Sequence, residues 1–312
     1  MTWHTPSFWY RPPGMASTSL IPLSGLYHLL HIADRSIKGK NPYTSKLPVI
    51  CIGNLTAGGS GKTPVVESLY RLIQAQGIAQ RPVILTRGYG HDEAQMLRQK
   101  GCAVIISSDR VKGAQLCEGA GYDLILLDDG FQNRSIKKNL SFIVIDGLRG
   151  FGNEHLIPAG PLREPIESGV ARADAAMIIG TDVSEAGSRL PPSFPVFSGT
   201  TETDFKAAND QNYVAFCGIA HPDKFRRTLT DLGVEPKVFK IYPDHHAYKP
   251  EDIEKLKKIA SEHKARLLTT EKDAIKMQES QLSDIMDIVP ITIQWQNVDS
   301  VIKFIKERLA HA

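Results

Sequence analysis

The chain has 312 residues, enough for two domains of ordinary size, each with a sizeable core. Hydrophobic residues make up 42% and charged residues 23%, which excludes a disordered or fibrous chain, and a net charge of +3 is too small to argue for nucleic acid. No run of about 18 apolar residues is present, and the N-terminus lacks a charged n-region and an A-x-A site, so neither a spanning helix nor secretion is expected.

Residues 1–47 do not begin as a nucleotide-binding domain would. Phe8, Trp9 and Tyr10 stand beside Arg11, Pro12 and Pro13, and a helical pattern follows with Leu23, Leu26, Tyr27 and Leu30 at i, i+3, i+4, i+7 spacing. Arg35, Lys38 and Lys40 close the segment. Two readings stand at this point: a helix packed on the domain behind it, or an interfacial helix whose apolar face enters the headgroup zone of a membrane.

The next stretch organises the chain. Thr56-Ala-Gly-Gly-Ser-Gly-Lys-Thr63 lies between the apolar run 48–52 and a helical pattern from about residue 63. A buried strand, a glycine-rich turn and a helix start make a phosphate cradle, because glycines let backbone N–H groups converge on phosphate oxygens. Thr56, Ala57, Gly58, Gly59, Ser60 and Gly61 would line it, Lys62 would reach the terminal phosphates, and the Thr63 hydroxyl would meet Mg²⁺. Thr56 stands where the general P-loop pattern has glycine.

Strands and helices then alternate. Apolar strands are expected at 83–86, 103–106, 124–127, 142–145 and 175–179, with helices over 63–76 and 111–118. The continuously apolar 124–127 reads as a strand buried on both faces. The alternation predicts an α/β, P-loop NTPase-like doubly wound parallel sheet, with ligands at the carboxyl ends of its strands. At those ends stand Arg87, able to neutralise phosphate or pair with a surface carboxylate, and Asp128-Asp129, which suits a metal-binding element opposite Thr63 or a capped turn. The loop 158–165 is bounded by prolines and displays Arg163 and Glu164.

From about residue 181 the texture turns to Ser, Gly and Pro, which reads as a linker. A second, smaller α/β domain follows, with strands at 213–217, 238–242, 267–270 and 288–295 and helices over 223–232, 250–265 and 300–309. The expected division is 1–47, 48–185 and 186–312. Tyr242-Pro-Asp-His-His-Ala-Tyr248 ends one of the later strands, and a histidine beside a carboxylate has a tunable pKa. Cys51, Cys102, Cys117 and Cys217 form no CxxC pair and read as reduced core residues of a cytosolic protein.

Together these residues resemble the tetraacyldisaccharide 4′-kinase family. The matching stretches are Ile52-Gly-Asn-Leu-Thr-Ala-Gly-Gly-Ser-Gly-Lys-Thr-Pro64, Thr86-Arg-Gly-Tyr-Gly90, Asp128-Asp-Gly-Phe-Gln132, 158–165, Phe216-Cys-Gly-Ile219, Asp244-His-His246 and Thr269-Thr-Glu-Lys-Asp273. Threonine at position 56 is usual in that family. The resemblance implies transfer of the ATP γ-phosphoryl to the 4′-hydroxyl of a tetraacylated glucosamine disaccharide 1-phosphate, with Mg²⁺, at the cytoplasmic face of the bacterial inner membrane. It implies a peripheral enzyme held to the membrane surface by its N-terminal helix, with a lipid disaccharide as partner and no nucleic acid or obligate protein partner. Gln132, Arg87, Arg163 and Glu164 fall among the nucleotide-binding residues on this reading. The family's catalytic acid lies in a Gly-Asp-Glu motif, here His91-Asp92-Glu93, which assigns Asp92. The catalytic histidine falls at His245, beside His246. Two domains would close over the phosphates. The rival readings are a P-loop kinase of a soluble metabolite and a nucleotide-dependent switch or scaffold without an acceptor.

Overall fold

The computed structural model describes residues 5–38, 41–88, 91–208, 210–277, 282 and 284–310, with the backbone alone at 31, 33–38 and 91. After a short 3₁₀ turn at Ser7–Tyr10 come α1 (Met15–Lys38), β1 (Val49–Gly53), α2 (Lys62–Ala75), β2 (Pro82–Thr86), α3 (His91–Gln99), β3 (Val104–Ile106), α4 (Arg110–Gly119) and β4 (Leu124–Asp128). There follow β5 (Leu140–Asp146), α5 (Ile166–Val170), β6 (Ala175–Ile179), β7 (Val196–Glu202), β8 (Asn212–Cys217), α6 (Pro222–Asp231), β9 (Val238–Ile241) and α7 (Pro250–Glu262). The chain ends with β10 (Ala265–Thr270), α8 (Glu271–Ala274), β11 (Met286–Val289), β12 (Thr292–Trp295) and α9 (Val298–Ala310).

Two compact units divide this chain. The larger gathers Pro6–Tyr89, Leu97–Thr201 and Ile293–Ala312, and the smaller is built on Glu202–Thr292 with Gly90–Met96. The larger unit holds a sheet of order β12-β7-β6-β5-β1-β4-β2-β3, in which β1 pairs in parallel with both β4 and β5. Strands β1, β4 and β5 are buried along their whole length, as parallel strands covered on both faces must be. Helix α2 lays Val65, Val66, Leu69, Tyr70 and Ile73 against β1, β2 and β4. The chain crosses from β4 to β5 on either side of β1, so the crevice beyond the carboxyl end of β1 is the topological switch point where such sheets bind ligands.

The N-terminal segment is anchored to this unit by polar contacts. Trp9 donates its indole N–H to the Pro158 carbonyl (3.0 Å), and Ser24 Oγ donates to the Leu156 carbonyl (2.8 Å). Tyr27 donates to the Arg163 carbonyl (3.3 Å), so it faces inward, whereas Leu23, Leu26, Leu29 and Leu30 are exposed. The side chains of Arg35 and Lys38, and Lys40 entirely, lie outside the described residues. Among the described residues no helix is long and apolar enough to cross a membrane.

The smaller unit carries a parallel sheet of order β11-β10-β8-β9, with α7 packed on β8 and β10 around Phe216, Leu256 and Leu267. All four cysteines are free and buried.

Three sequence expectations are corrected here. The single strand expected at 288–295 is two, β11 and β12, in different sheets, because Pro290 between them cannot donate to a ladder. The expected linker contains β7, which pairs with β6. The expected helix over 250–265 stops at Glu262, and Ala265 already begins β10. The boundary drawn at 185 accordingly differs from the division of contacts. Moreover, α9 returns to the larger unit, where Phe304 packs on Phe142 and Phe197 at ring separations of 6.1 and 5.3 Å.

Candidate active site

In the larger unit, the turn after β1 has the backbone its glycines permit. Gly58 and Gly61 take φ of 102° and 78°, conformations that a side chain would strain, and Gly61 ends the loop at the first turn of α2. Buried Asn54 pins this loop from within. Its Nδ2 donates to the Thr56 carbonyl (2.7 Å) and to Ser60 Oγ (2.8 Å), and its Oδ1 accepts from Lys62 Nζ (3.1 Å). The proline-bounded loop lies alongside: Ala57 N–H donates to the Pro161 carbonyl (2.7 Å) and Arg163 N–H to the Leu55 carbonyl (2.8 Å). Gly59 is exposed, and Thr63 sits in the first turn of α2.

Charged groups converge beside the loop. Lys62 Nζ lies 3.4 Å from Asp129 Oδ1, and Arg163 Nη1 reaches the same oxygen at 3.2 Å. Burial alone would push the Asp129 carboxyl up, but Lys62 and Arg163 outweigh it and hold it below the usual carboxylate range. Asp129 also has φ of 48°, an uncommon conformation for a residue with a side chain, held by its N–H donating to the Ile52 carbonyl (2.9 Å). Gln132 Nε2 donates to the Asn54 carbonyl (2.9 Å) and to Glu164 Oε1 (3.2 Å), and buried Glu164 pairs with Arg172. Asp128 is buried at the end of β4, its carbonyl accepting from Arg110 Nη2 (2.7 Å). Arg87 is exposed at the end of β2.

The smaller unit holds a second constellation. Asp92, on α3, has His245 Nδ1 at 3.4 Å and Lys276 Nζ at 3.8 Å from its Oδ2. Both its oxygens are buried, and neither accepts a hydrogen bond from a described residue. Burial would push its carboxyl up, yet the imidazole of His245 and the ammoniums of Lys272 and Lys276 outweigh that and hold it below its usual range. The same contact with Asp92 raises His245, against burial and the nearby Lys272. His245 has φ of 56°, a left-handed conformation at a cost of about 1–2 kcal/mol. His246 is placed otherwise: its ring stacks on Tyr242 at 4.7 Å and its Nε2 lies 2.9 Å from Asp252 at the start of α7.

A sequence profile of the family described as tetraacyldisaccharide-1-P 4′-kinase matches residues 16–99 and 91–310, and so nearly the whole chain. The chain belongs to this family. It is 38% identical over 315 residues to the tetraacyldisaccharide 4′-kinase of Gluconacetobacter diazotrophicus, covering 94% of each, and 36% identical over 319 residues to that of Rhodospirillum centenum, covering 95% and 94%. Among solved structures it resembles LpxK from Aquifex aeolicus, crystallised in complex with ATP, with a TM-score of 0.75 at 26% identity, covering 94% of this chain and 99% of that one. Neither the soluble-metabolite kinase nor the acceptor-less switch is favoured by these matches.

Four residues in the two constellations of this tetraacyldisaccharide 4′-kinase family member carried no assigned role in the sequence reading. Asn54, Arg172, Lys272 and Lys276 all meet predicted residues. Asn54 and Lys272 lie within quoted motifs, so their position was visible and their function was not. For a divalent cation, no group of three or more His, Cys, Asp or Glu side chains converges among the described residues.

Proposed function

We propose that this chain, an ATP-dependent tetraacyldisaccharide 4′-kinase, transfers the γ-phosphoryl of ATP to the acceptor's 4′-hydroxyl with Asp92 as the proton acceptor. The observation that carries the reading is the buried Asp92 carboxyl, held below its usual range beside His245, with neither oxygen accepting a hydrogen bond from a described residue. A buried carboxylate without hydrogen bonds is costly, and an incoming hydroxyl donor relieves that cost.

Phosphoryl transfer needs positioning and charge neutralisation more than covalent chemistry. The loop from Thr56 to Gly61 presents its backbone to phosphate, and Lys62, steadied by Asn54, meets the charge that develops on the transferred group. Phosphate oxygens would replace Asp129 as partners of Lys62 and Arg163, which share one oxygen of that carboxylate. Thr63 with Asp128 or Asp129 would hold Mg²⁺, which would supply positive charge against the phosphates. Gln132 and Glu164 brace the loop that carries Arg163. Arg87 is assigned to the nucleotide phosphates on its position at a strand end. His245 orients Asp92 and supports its charge, and His246 stays with Asp252 as a structural residue.

The acceptor's acyl chains belong in a bilayer, so the enzyme works at a membrane surface, on this reading the cytoplasmic face of the inner membrane. We infer that α1 lies in the headgroup zone, where its polar contacts hold it to the protein and its leucine ridge enters lipid. On this reading the two alternatives for residues 1–47 combine in one helix, with one face on the protein and the other toward lipid.

Incubation with γ-labelled ATP and the tetraacyldisaccharide 1-phosphate, followed by chromatography of the lipid, tests the reaction. Label should move to the lipid in the parent, and Asp92→Asn should abolish transfer while ATP still binds. Label released only as phosphate would sink the kinase reading.

A further inference from the structure

The motif Thr269-Thr-Glu-Lys-Asp273 has no part in the chemistry so far, yet the smaller unit brings it against Asp92. Lys276 Nζ donates to Asp273 Oδ1 (3.1 Å) and to the Gly218 carbonyl (3.2 Å). Buried Asp273 is fully engaged in turn: Tyr248 donates to Oδ1 (3.1 Å), while Thr270 Oγ1 (2.8 Å) and Gly218 N–H (3.0 Å) donate to Oδ2. An ammonium has three N–H groups, and two of these are spoken for, which leaves one for Asp92 at 3.8 Å. Lys272 sits four residues earlier. Its Nζ donates to Glu93 Oε1 (3.1 Å) and lies 3.5 Å from His245 Nε2. In the neutral ring, Nε2 accepts from Lys272, so the ring proton stays on Nδ1, toward Asp92 Oδ2 at 3.4 Å, which leaves Oδ1 for an incoming donor.

We propose that Lys272 and Lys276 are positioning residues that form a two-ammonium cradle for Asp92, supplying charge without occupying its lone pairs. The proposal rests on Asp92 being the proton acceptor. A hydrogen bond to Asp92 would steady its charge as well, but would compete with the acceptor hydroxyl for the same oxygen. The Lys276 ammonium, 3.8 Å from Oδ2 and so beyond hydrogen-bond distance, avoids that competition, and Lys272 adds its charge through the field. The charged groups around Asp92 are His245 after β9 (3.4 Å) and Lys276 past α8 (3.8 Å) beside its Oδ2, Lys272 on α8 through its charge, and Glu93 on α3 and Asp244 after β9, which pair with Lys272.

The test is the pH profile of kcat/KM for the acceptor in Lys272→Met and Lys276→Met, beside Asp92→Asn. Losing either cation favours protonated Asp92, so the acid limb should move up by about 1 pH unit. At neutral pH kcat should fall about 10-fold or more, with KM for ATP within about two-fold of the parent. Lys276→Arg should recover part of the loss. Because Lys276→Met leaves Asp273 buried without its counter-charge, the pair Lys276→Met/Asp273→Asn is measured too. A return of that pair to parental kcat and limb would mean that Lys276 serves only to neutralise Asp273, and would overturn the proposal. So would an acid limb unmoved in either lysine variant while Asp92→Asn is inactive. Parental kcat in Asp92→Asn would instead overturn the proton-acceptor reading, and the cradle with it.

Discussion

Replacing Leu23, Leu26, Leu29 and Leu30 together by serine should detach the protein from vesicles without unfolding it. These side chains are 51, 52, 65 and 63% exposed, so little of their packing against the protein is lost. Surface changes of this kind alter stability by about 0.5 kcal/mol each at most. What they can gain from lipid scales with the exposed part. Full burial of a leucine yields about 1.5–3 kcal/mol, so the ridge supplies about 3–7 kcal/mol of gross transfer energy. A single myristoyl chain, with a partition constant of about 10⁴ M⁻¹, falls in the same range and gives marginal, reversible binding. The parent should therefore sediment with vesicles reversibly, more so when anionic lipid is present, and the serine variant should stay in the supernatant. KM for acceptor presented in vesicles should rise, while KM for ATP and the melting temperature should hold. A variant that sediments like the parent would refute the membrane reading. A fall of many degrees in Tm would show instead that the ridge is part of the core.

Three further outcomes follow from the site. Lys62→Ala should lower kcat about 100-fold or more in a correctly folded protein, since it removes a cation aimed at the transferred phosphate; near-parental turnover would take the loop out of the mechanism. Asn54→Ala should cost about 1–3 kcal/mol, read as a lower Tm, and raise KM for ATP, because the Thr56 carbonyl, Ser60 and Lys62 lose a buried partner together. The Asp92–His245 pair should leave a mark on stability against pH. His245 is raised above 6.5, so its contribution is complete below that value and is lost as pH climbs through the folded one. Asp92 is lowered below 3.8, so its contribution is complete above that value and is lost as pH falls through the folded one. The Tm difference between the parent and His245→Ala should be widest between 3.8 and 6.5, and a difference flat across pH would contradict the pairing.

The parts of the fold that were legible are those in which one segment settles its own fate. The runs 49–52 and 124–127 are apolar without alternation, and only strands covered on both faces tolerate that. The glycine-rich loop was legible for a similar reason, since φ of 78° at Gly61 is a local demand met by a local residue. Strand β7, by contrast, reads Val-Phe-Ser-Gly-Thr-Thr-Glu and is mostly exposed, so neither apolar run nor alternation marks it. Its strand character comes from pairing with β6. The short, polar α3 failed to show for the same reason: its burial is confined to Ala94, Met96 and Leu97. Asp92 and His245, which the fold brings to 3.4 Å, were singled out through family motifs and not through any spacing, because 153 positions of chain separate them. Lys276 has no motif at all, and only the fold shows that it faces Asp92.

Two carboxylates in this protein are held ionised, and the way each is held indicates what it is for. Asp129 is satisfied: Lys62 and Arg163 lie at 3.4 and 3.2 Å from one of its oxygens, contacts that phosphate could compete for. On the proposed mechanism such a carboxylate keeps two cations ordered until phosphate arrives, and the oxygen that both cations face is a poor base. Asp92 accepts no hydrogen bond at either oxygen from a described residue, its nearest partners being His245 Nδ1 at 3.4 Å and Lys276 Nζ at 3.8 Å from Oδ2. Such a group keeps its lone pairs for a donor that has yet to come. Were the roles exchanged, Lys62 would lose the partner that orders it and Asp92 would enter the reaction already hydrogen-bonded. On the proposed mechanism this contrast, more than the identity of either residue, separates the nucleotide side of the chemistry from the acceptor side.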